Sequence, residues 1–371
     1  MKMDEVRFSA KCGVPTRGFT VRGTASDGST FQGAGTVLGD EVVAVNLEAS
    51  APLENKIQII DEYRITWSVE WSPAGGGQAC TFTEVGASGV RMYVCQGAPL
   101  GDVTHCETVW QISCHGASGL TAGNPATNAE KQEIVDAIFE EFEGLEVHRI
   151  ADGEVMAYYG DWDVTYDTTN NLIKHLDGQC GAWAHLFEDC LKVQGVGSQR
   201  QKISPNSDML GLNFSMFYIK QWTYTSNDGV SGDDAFPYLN VPRTPEWIDN
   251  TYNFVVTQVT HLPNGSLHGQ HQPIPLSMFN NHIVVKYGIG TNHKLYDPSY
   301  GKIHDSLEAF ANAVSGYVRR DPVTVDEAAA GFDCNGDGNV GGVVTIQNAH
   351  RVGANPGQGV IPNLVIQNDQ P

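Results

Sequence analysis

The chain has 371 residues, with 22 Lys and Arg against 43 Asp and Glu and a formal net charge of −21. So acidic a composition disfavours nucleic acid and anionic membranes as partners, because both are bound through Lys and Arg. No apolar run is long enough to span a bilayer, so no membrane insertion is expected, and the length allows two domains with sizeable cores.

The N-terminus, MKMDEVRFSA, lacks the apolar core of a signal peptide. Eight cysteines and few lysines lean towards an exported or extracellular protein whose signal peptide is absent from this chain. Residues 1–118 read as all-β. In EYRITWSVEWSP, Tyr63, Ile65, Trp67, Val69 and Trp71 alternate with Arg64, Thr66, Ser68 and Glu70. A period of two with aromatic and β-branched residues means a strand with one buried face. GFTVRGTAS (18–26), GVRMYVCQG (89–97) and ETVWQISCHG (107–116) read as further strands, and short strands between turns predict an immunoglobulin-like β-sandwich. Cys80, Cys95, Cys106 and Cys114 fall in this region, where cross-strand bridges are geometrically possible. No CxxC pair is present, so no structural zinc site is expected.

The pattern changes near residue 119. Gly, Asn and Pro form a linker, Thr127 followed by Glu130 fits a capping box, and Ile134, Val135, Ile138, Phe139 and Phe142 form a helical apolar stripe. Glu133, Asp136, Glu140 and Glu141 then make a solvated face, and Gly144 ends the helix. The second domain is predicted over 119–325, with an acidic, Gly-rich extension over 326–371. In that extension Asp333, Asn335 and Asp337 match the first half of a calcium loop, but Val344 stands where a closing Glu belongs. A Gly-rich surface turn is the expected form, calcium is the one cofactor candidate, and no other metal or cofactor is expected.

Cys180 stands between Asp177-Gly178-Gln179 and a helical stripe of Trp183, Phe187 and Leu191 that Gly195 stops. With Asp177 as the expected N-cap, Cys180 falls in the first helical turn. There the free N–H groups and the positive end of the helix dipole favour a thiolate and can receive a developing oxyanion. Cys190, on the same helix, reads as core. A thiolate nucleophile needs a base, and the base an orienting partner. NNHIVVKYGIGTNHKLYDPSYG predicts a hairpin with His282 on one strand and Asp297 on the next. His293 is an alternative base in a turn setting, His175 and His185 flank the nucleophile, and His261, His268 and His271 read as loop histidines.

A helix-borne Cys, a strand-borne His and a strand-borne Asp, in that order, resemble the transglutaminase-like, papain-related superfamily over roughly residues 127–305. GQC before a helix resembles its nucleophile motif, and LYDPSYG its Asp-Pro-Ser/Thr ending. The resemblance implies an α+β fold, a cysteine-bearing helix packed on an antiparallel sheet. It makes Cys180 the nucleophile, His282 the general base and acid, and Asp297 the orienter. A protein or peptide substrate is then expected, attacked at an amide to give a thioester that passes to water or to an amine. Trp162 and Gln179 are the oxyanion candidates. The sequence departs from the family at Gly181, where a Trp is usual, and at Ile283-Val284, and its Cys-to-His interval is long. The interval, residues 198–280, holds Phe214, Phe217, Tyr218, Trp222, Tyr224, Phe236, Tyr238 and Trp247. It is expected to fold over the site, with Trp183, Trp222 and Trp247 lining a substrate cleft. The alternative is a non-enzymatic binding or surface protein that uses the same fold as a scaffold.

Overall fold

The computed structural model describes residues 2–9, 19–38, 41–50, 53–71, 80–101, 103–104, 106–123, 126–158, 167–206, 208–209, 212–213, 217–218, 278–279, 281–289, 292–315, 317–326, 328, 337–339, 341–353 and 363–369. It is a mixed α+β protein with antiparallel sheets and few helices. The chain divides into two compact units, Met1–Ala98 with Ala117–Ala126, and Pro99–Gly116 with Thr127–Pro371.

The first unit holds β1 (Lys2–Ser9), β2 (Phe19–Ala25), β3 (Thr30–Leu38), β4 (Glu41–Ala49), β5 (Gln58–Trp71) and β6 (Cys80–Val94). These strands form one antiparallel sheet in the order β1-β4-β3-β2-β5-β6, in place of the two facing sheets expected of a sandwich. β5 and β6 are long, at 14 and 15 residues, with two register shifts between them. Alternation sets the core: Phe19, Val21 and Ala25 on β2 meet Phe31, Ala44, Leu47, Tyr63, Ile65, Trp67 and Val69 from the other strands. Gly23 makes the centre possible. It pairs with Phe31 on one side and Trp67 on the other, and a Cβ there would lie 2.6 Å from Trp67 Cζ3. Its missing side chain lets Phe31 and Trp67 meet across β2, with ring centroids 6.5 Å apart. Residues 117–123 belong to this unit because they hydrogen-bond along residues 55–57, including Ile57 N to Leu120 O at 2.8 Å and Gly119 N to Ile57 O at 2.9 Å.

The second unit begins with a correction. Residues 107–116, read above as a strand, form helix α1 (Glu107–Gly116). Val109, Ile112, Ser113 and Cys114 are its buried residues, while Trp110, Ile112 and Cys114 also alternate at period two, which a strand reading takes up. The bridges proposed among Cys95, Cys106 and Cys114 are absent. All three are free thiols, since Cys106 precedes this helix and Cys114 lies in it. Ser113 Oγ donates to Cys190 O at 2.6 Å, which docks α1 on α4.

The remaining elements are α2 (Asn128–Glu140), β7 (Ala157–Tyr158), α3 (Thr169–His175), β8 (Asp177–Gly178), α4 (Cys180–Val193), β9 (Gln199–Pro205), β10 (Asp208–Met209), β11 (Leu212–Asn213), β12 (Phe217–Tyr218), β13 (Met278–Phe279), β14 (His282–Ile289), β15 (Asn292–Asp297), β16 (Lys302–His304), α5 (Leu307–Val314), β17 (Tyr317–Asp326), β18 (Val343–Gly353) and β19 (Leu364–Asn368). Thr127 caps α2 in a full capping box with Glu130. A five-stranded antiparallel sheet, β16-β15-β14-β9-β19, carries α4 against β14 and β9. The C-terminal extension therefore returns to this sheet, where β19 pairs with β9. An aromatic cluster joins helices to sheet: Phe187 lies 5.1 Å from Phe139, 5.2 Å from Phe142 and 5.6 Å from Tyr296 between ring centroids. Each such buried ring contributes on the order of 2–3 kcal/mol by leaving water. Among the described residues no helix is long and apolar enough to cross a membrane.

Candidate active site

The approach to Cys180 is a tight reversal. α3 ends at Leu176, which adopts φ +58°, the one non-glycine residue in the left-handed region among those described. For a leucine this conformation is strained and persists only where its surroundings fix it. Leu176 is buried and its carbonyl accepts from Ala157 N at 2.8 Å, and the next two residues form β8, parallel to β7. The chain then enters α4 at once. Gln179, not Asp177, is the N-cap, because Asp177 is committed to the β8 ladder, and the Gln179 side chain makes no capping hydrogen bond. Cys180 is thus the first residue of the helix. The N–H groups of Cys180 and Gly181 have no acceptor inside α4, as at any helix start. Gly195, with φ +72°, follows the C-cap Gln194 as the glycine reading requires.

His282 opens β14 opposite Ile203 of β9, and Asp297 closes β15 opposite Lys302 of β16. The hairpin brings the two side chains together: His282 Nε2 lies 2.8 Å from Asp297 Oδ2. Both residues are fully buried, and Cys180 is 6% exposed. The Cys180 side chain, after Asp297, also favours the charged form of the imidazole. With Nε2 held by Asp297, Nδ1 is the ring nitrogen left over. Burial alone drives the His282 pKa down. The Asp297 charge, its hydrogen bond and then Cys180 reverse this and push it up to about 10, so the imidazolium is favoured at neutral pH. The second cysteine of α4 differs in kind: burial holds the Cys190 thiol well above its ordinary value, and its Sγ meets only Val109 O at 3.7 Å.

Several neighbours were not singled out by sequence. Tyr300 and Phe310 flank the imidazole, with centroids at 5.4 and 6.0 Å, and the Phe310 ring stacks at 20°. His304 lies in register with Leu295, and its ring is edge-on to Phe310 at 5.2 Å. Burial lowers its pKa, so it stands as a neutral ring beside the charged pair. Asp297 Oδ1, Ser299 Oγ and His304 Nε2 are buried without a hydrogen-bond partner among the described residues. The signal for these was the short return of chain after Asp297, a turn 298–301 with Gly301 at φ +60°. Gly181 has a local reason too. A Cβ there would lie 3.1 Å from Asp167 Oδ1 and 3.4 Å from Ile283 Cδ1, a tight fit against two side chains.

Other expected residues do not join the site. Trp183 is fully buried on α4, where its core position fills the interior and not an open cleft wall. His293 pairs with Gly288 at the far end of the hairpin, and His185 faces away along α4. Trp162, Trp222 and Trp247 lie outside the described residues, as do His261, His268 and His271. Of the long interval, β9 to β13 are described, and Phe217 pairs with Phe279 just before His282. Asp333 and Asn335 also lie outside. Asp337 accepts from Asn339 N at 2.8 Å in an exposed turn, and Val344 pairs with Val325 in a strand. Among the described residues no group of three or more His, Cys, Asp or Glu is placed to hold a metal.

Comparison with protein-family models, with characterised proteins and with solved structures finds no match to this chain.

Proposed function

We propose that the second unit performs thiol acyl chemistry on amide bonds, in a fold of the transglutaminase-like kind, with Cys180 as nucleophile, His282 as proton carrier and Asp297 as orienter. The observation that carries the reading is the buried 2.8 Å contact of His282 Nε2 with Asp297, in a ring whose charged form the helix-starting Cys180 also favours. The Cys180 sulfur attacks the amide carbonyl carbon and forms a C–S bond, while the N–H groups at the start of α4 receive the oxyanion. His282 delivers its proton to the departing nitrogen, the C–N bond breaks, and a thioester remains. Water or an amine then attacks the thioester and yields its proton to His282. The C–S bond breaks, and Cys180 returns as the thiolate beside the imidazolium. Asp297 stays ionised throughout and holds the ring.

Intact-mass measurement of the full chain incubated with peptide p-nitroanilides and glutamine peptides tests this. An acyl adduct that hydroxylamine removes is expected, absent from Cys180→Ala and nearly absent from His282→Ala. An adduct of equal yield in Cys180→Ala, or no adduct with any acyl donor, overturns the proposal in favour of a scaffold with no chemistry.

A further inference from the structure

The face of α4 that carries His185, Glu188, Asp189 and Lys192, one to three turns along from Cys180, borders a polar cleft of about 640 Å³. Its volume suits a small-molecule ligand. The charges around it are unevenly matched. Glu188 takes both cations, Arg200 at 3.2 Å and Lys192 at 3.6 Å, and Asp369 shares Arg200 at 3.0 Å. Asp189 is left over. It is 3% exposed, lines the cleft, and has no hydrogen-bond or ion-pair partner among the described residues.

The titratable groups on which the Asp189 charge acts, Cys106, Cys190 and His185, supply nothing positive. Burial raises the thiols of Cys106 and Cys190, which keeps them protonated and neutral. Burial and the nearby Arg200 push His185 down to about 4, so this ring is neutral as well. A carboxylate largely shielded from water normally meets a cation or a donor. Two hydroxyls on the same cleft are also unsatisfied: Thr169 Oγ1, on a residue 1% exposed, and Ser198 Oγ. One unpaired carboxylate and two open hydroxyl acceptors are complementary to a group with one positive charge and three N–H donors. They do not fit phosphate or carboxylate, which Asp189 would repel.

We propose that this cleft binds a ligand through a primary ammonium group, with Asp189 as its counter-ion and Thr169 and Ser198 as further acceptors. The site is independent of the Cys180 chemistry. Free alkylamines and lysine side chains share the recognised group, and their affinities separate the two sources. Calorimetric titration of the full chain compares 1,4-diaminobutane, Nα-acetyl-lysine methylamide, 1-butanol and potassium chloride. One or both ammonium compounds should bind and 1-butanol should not. Asp189→Asn should weaken that binding about tenfold or more, Thr169→Val less, and Cys180→Ala not at all. Equal binding of 1-butanol and the amines, binding of potassium alone, no binding by any probe, or undiminished affinity in a folded Asp189→Asn protein would each overturn the assignment. The butanol comparison needs no variant and stands even if Asp189→Asn fails to fold.

Discussion

Replacing Asp297 with asparagine removes the charge that faces His282 while leaving an oxygen able to accept from Nε2–H. In the native protein the imidazole rises from an ordinary 6.5 to about 10. That interval corresponds to roughly 5 kcal/mol in favour of the imidazolium, the size expected when one partner of a buried ion pair is lost. The native state therefore binds one more proton than the unfolded chain between pH 6.5 and about 10. Its stabilisation is complete below pH 6.5 and is lost as pH rises through about 10, at up to about 1.4 kcal/mol per pH unit. In Asp297→Asn the burial that opposes charge is no longer countered by the carboxylate, so the ring is neutral at pH 7. Urea unfolding at intervals from pH 6 to 10, with both proteins carrying Cys180→Ala so that the thiol contributes no proton, and the Asp297→Asn form subtracted from the form with Asp297, isolates this group. The difference should be several kcal/mol near pH 6.5 and should shrink steadily towards pH 10. A difference that is flat across this range would refute the assignment of a charged His282–Asp297 pair.

Two further outcomes follow from packing. Gly23→Ala places a methyl 2.6 Å from Trp67 Cζ3 and 2.7 Å from Ile65 Cγ2, and should cost about 1–3 kcal/mol in urea unfolding of the first unit; unchanged stability would mean that the Phe31–Trp67 contact is not what Gly23 protects. Tyr296→Phe removes an O–H that donates to Asp136 Oδ1 at 2.5 Å and accepts from Gln132 at 2.7 Å beside Asp297, and should cost about 1–3 kcal/mol while Cys180 stays in place; a stability equal to the native value would show that these bonds contribute nothing net.

The elements that carry the site were legible because each has a strong local signal. The hairpin from His282 to Asp297 is a β-branched run, a Gly-Asn turn and a second run, and the cysteine helix has a stripe and a stopping glycine. Such signals give spacing but not company. Residues 107–116 are too short to separate a helix from a strand by period, and only α4 and α2, distant in sequence, decide it. The N-cap moved from Asp177 to Gln179 because β7 claims Asp177, a pairing between segments about twenty residues apart. β19 joins the sheet from the far end of the chain, and no local pattern in an acidic, Gly-rich tail announces a strand that completes an edge. His304, Tyr300 and Phe310 reach the imidazole through the return of β16 and α5. In sequence Asp189 is one more acid on a helix, and its lack of a partner becomes visible only when Arg200 and Lys192 are seen to be taken by others.

The central claim is that Cys180 is a nucleophile held ready by His282. The rate of Cys180 alkylation by iodoacetamide, followed by peptide mass from pH 5 to 9, tests it most directly. An ordinary thiol slows roughly 75-fold between pH 8 and pH 6, as its thiolate fraction falls. Beside an imidazolium, Cys180 should change by less than about threefold over that range, and His282→Ala should restore the ordinary steep profile. A native Cys180 that follows the ordinary profile, or one unaffected by His282→Ala, would contradict the account.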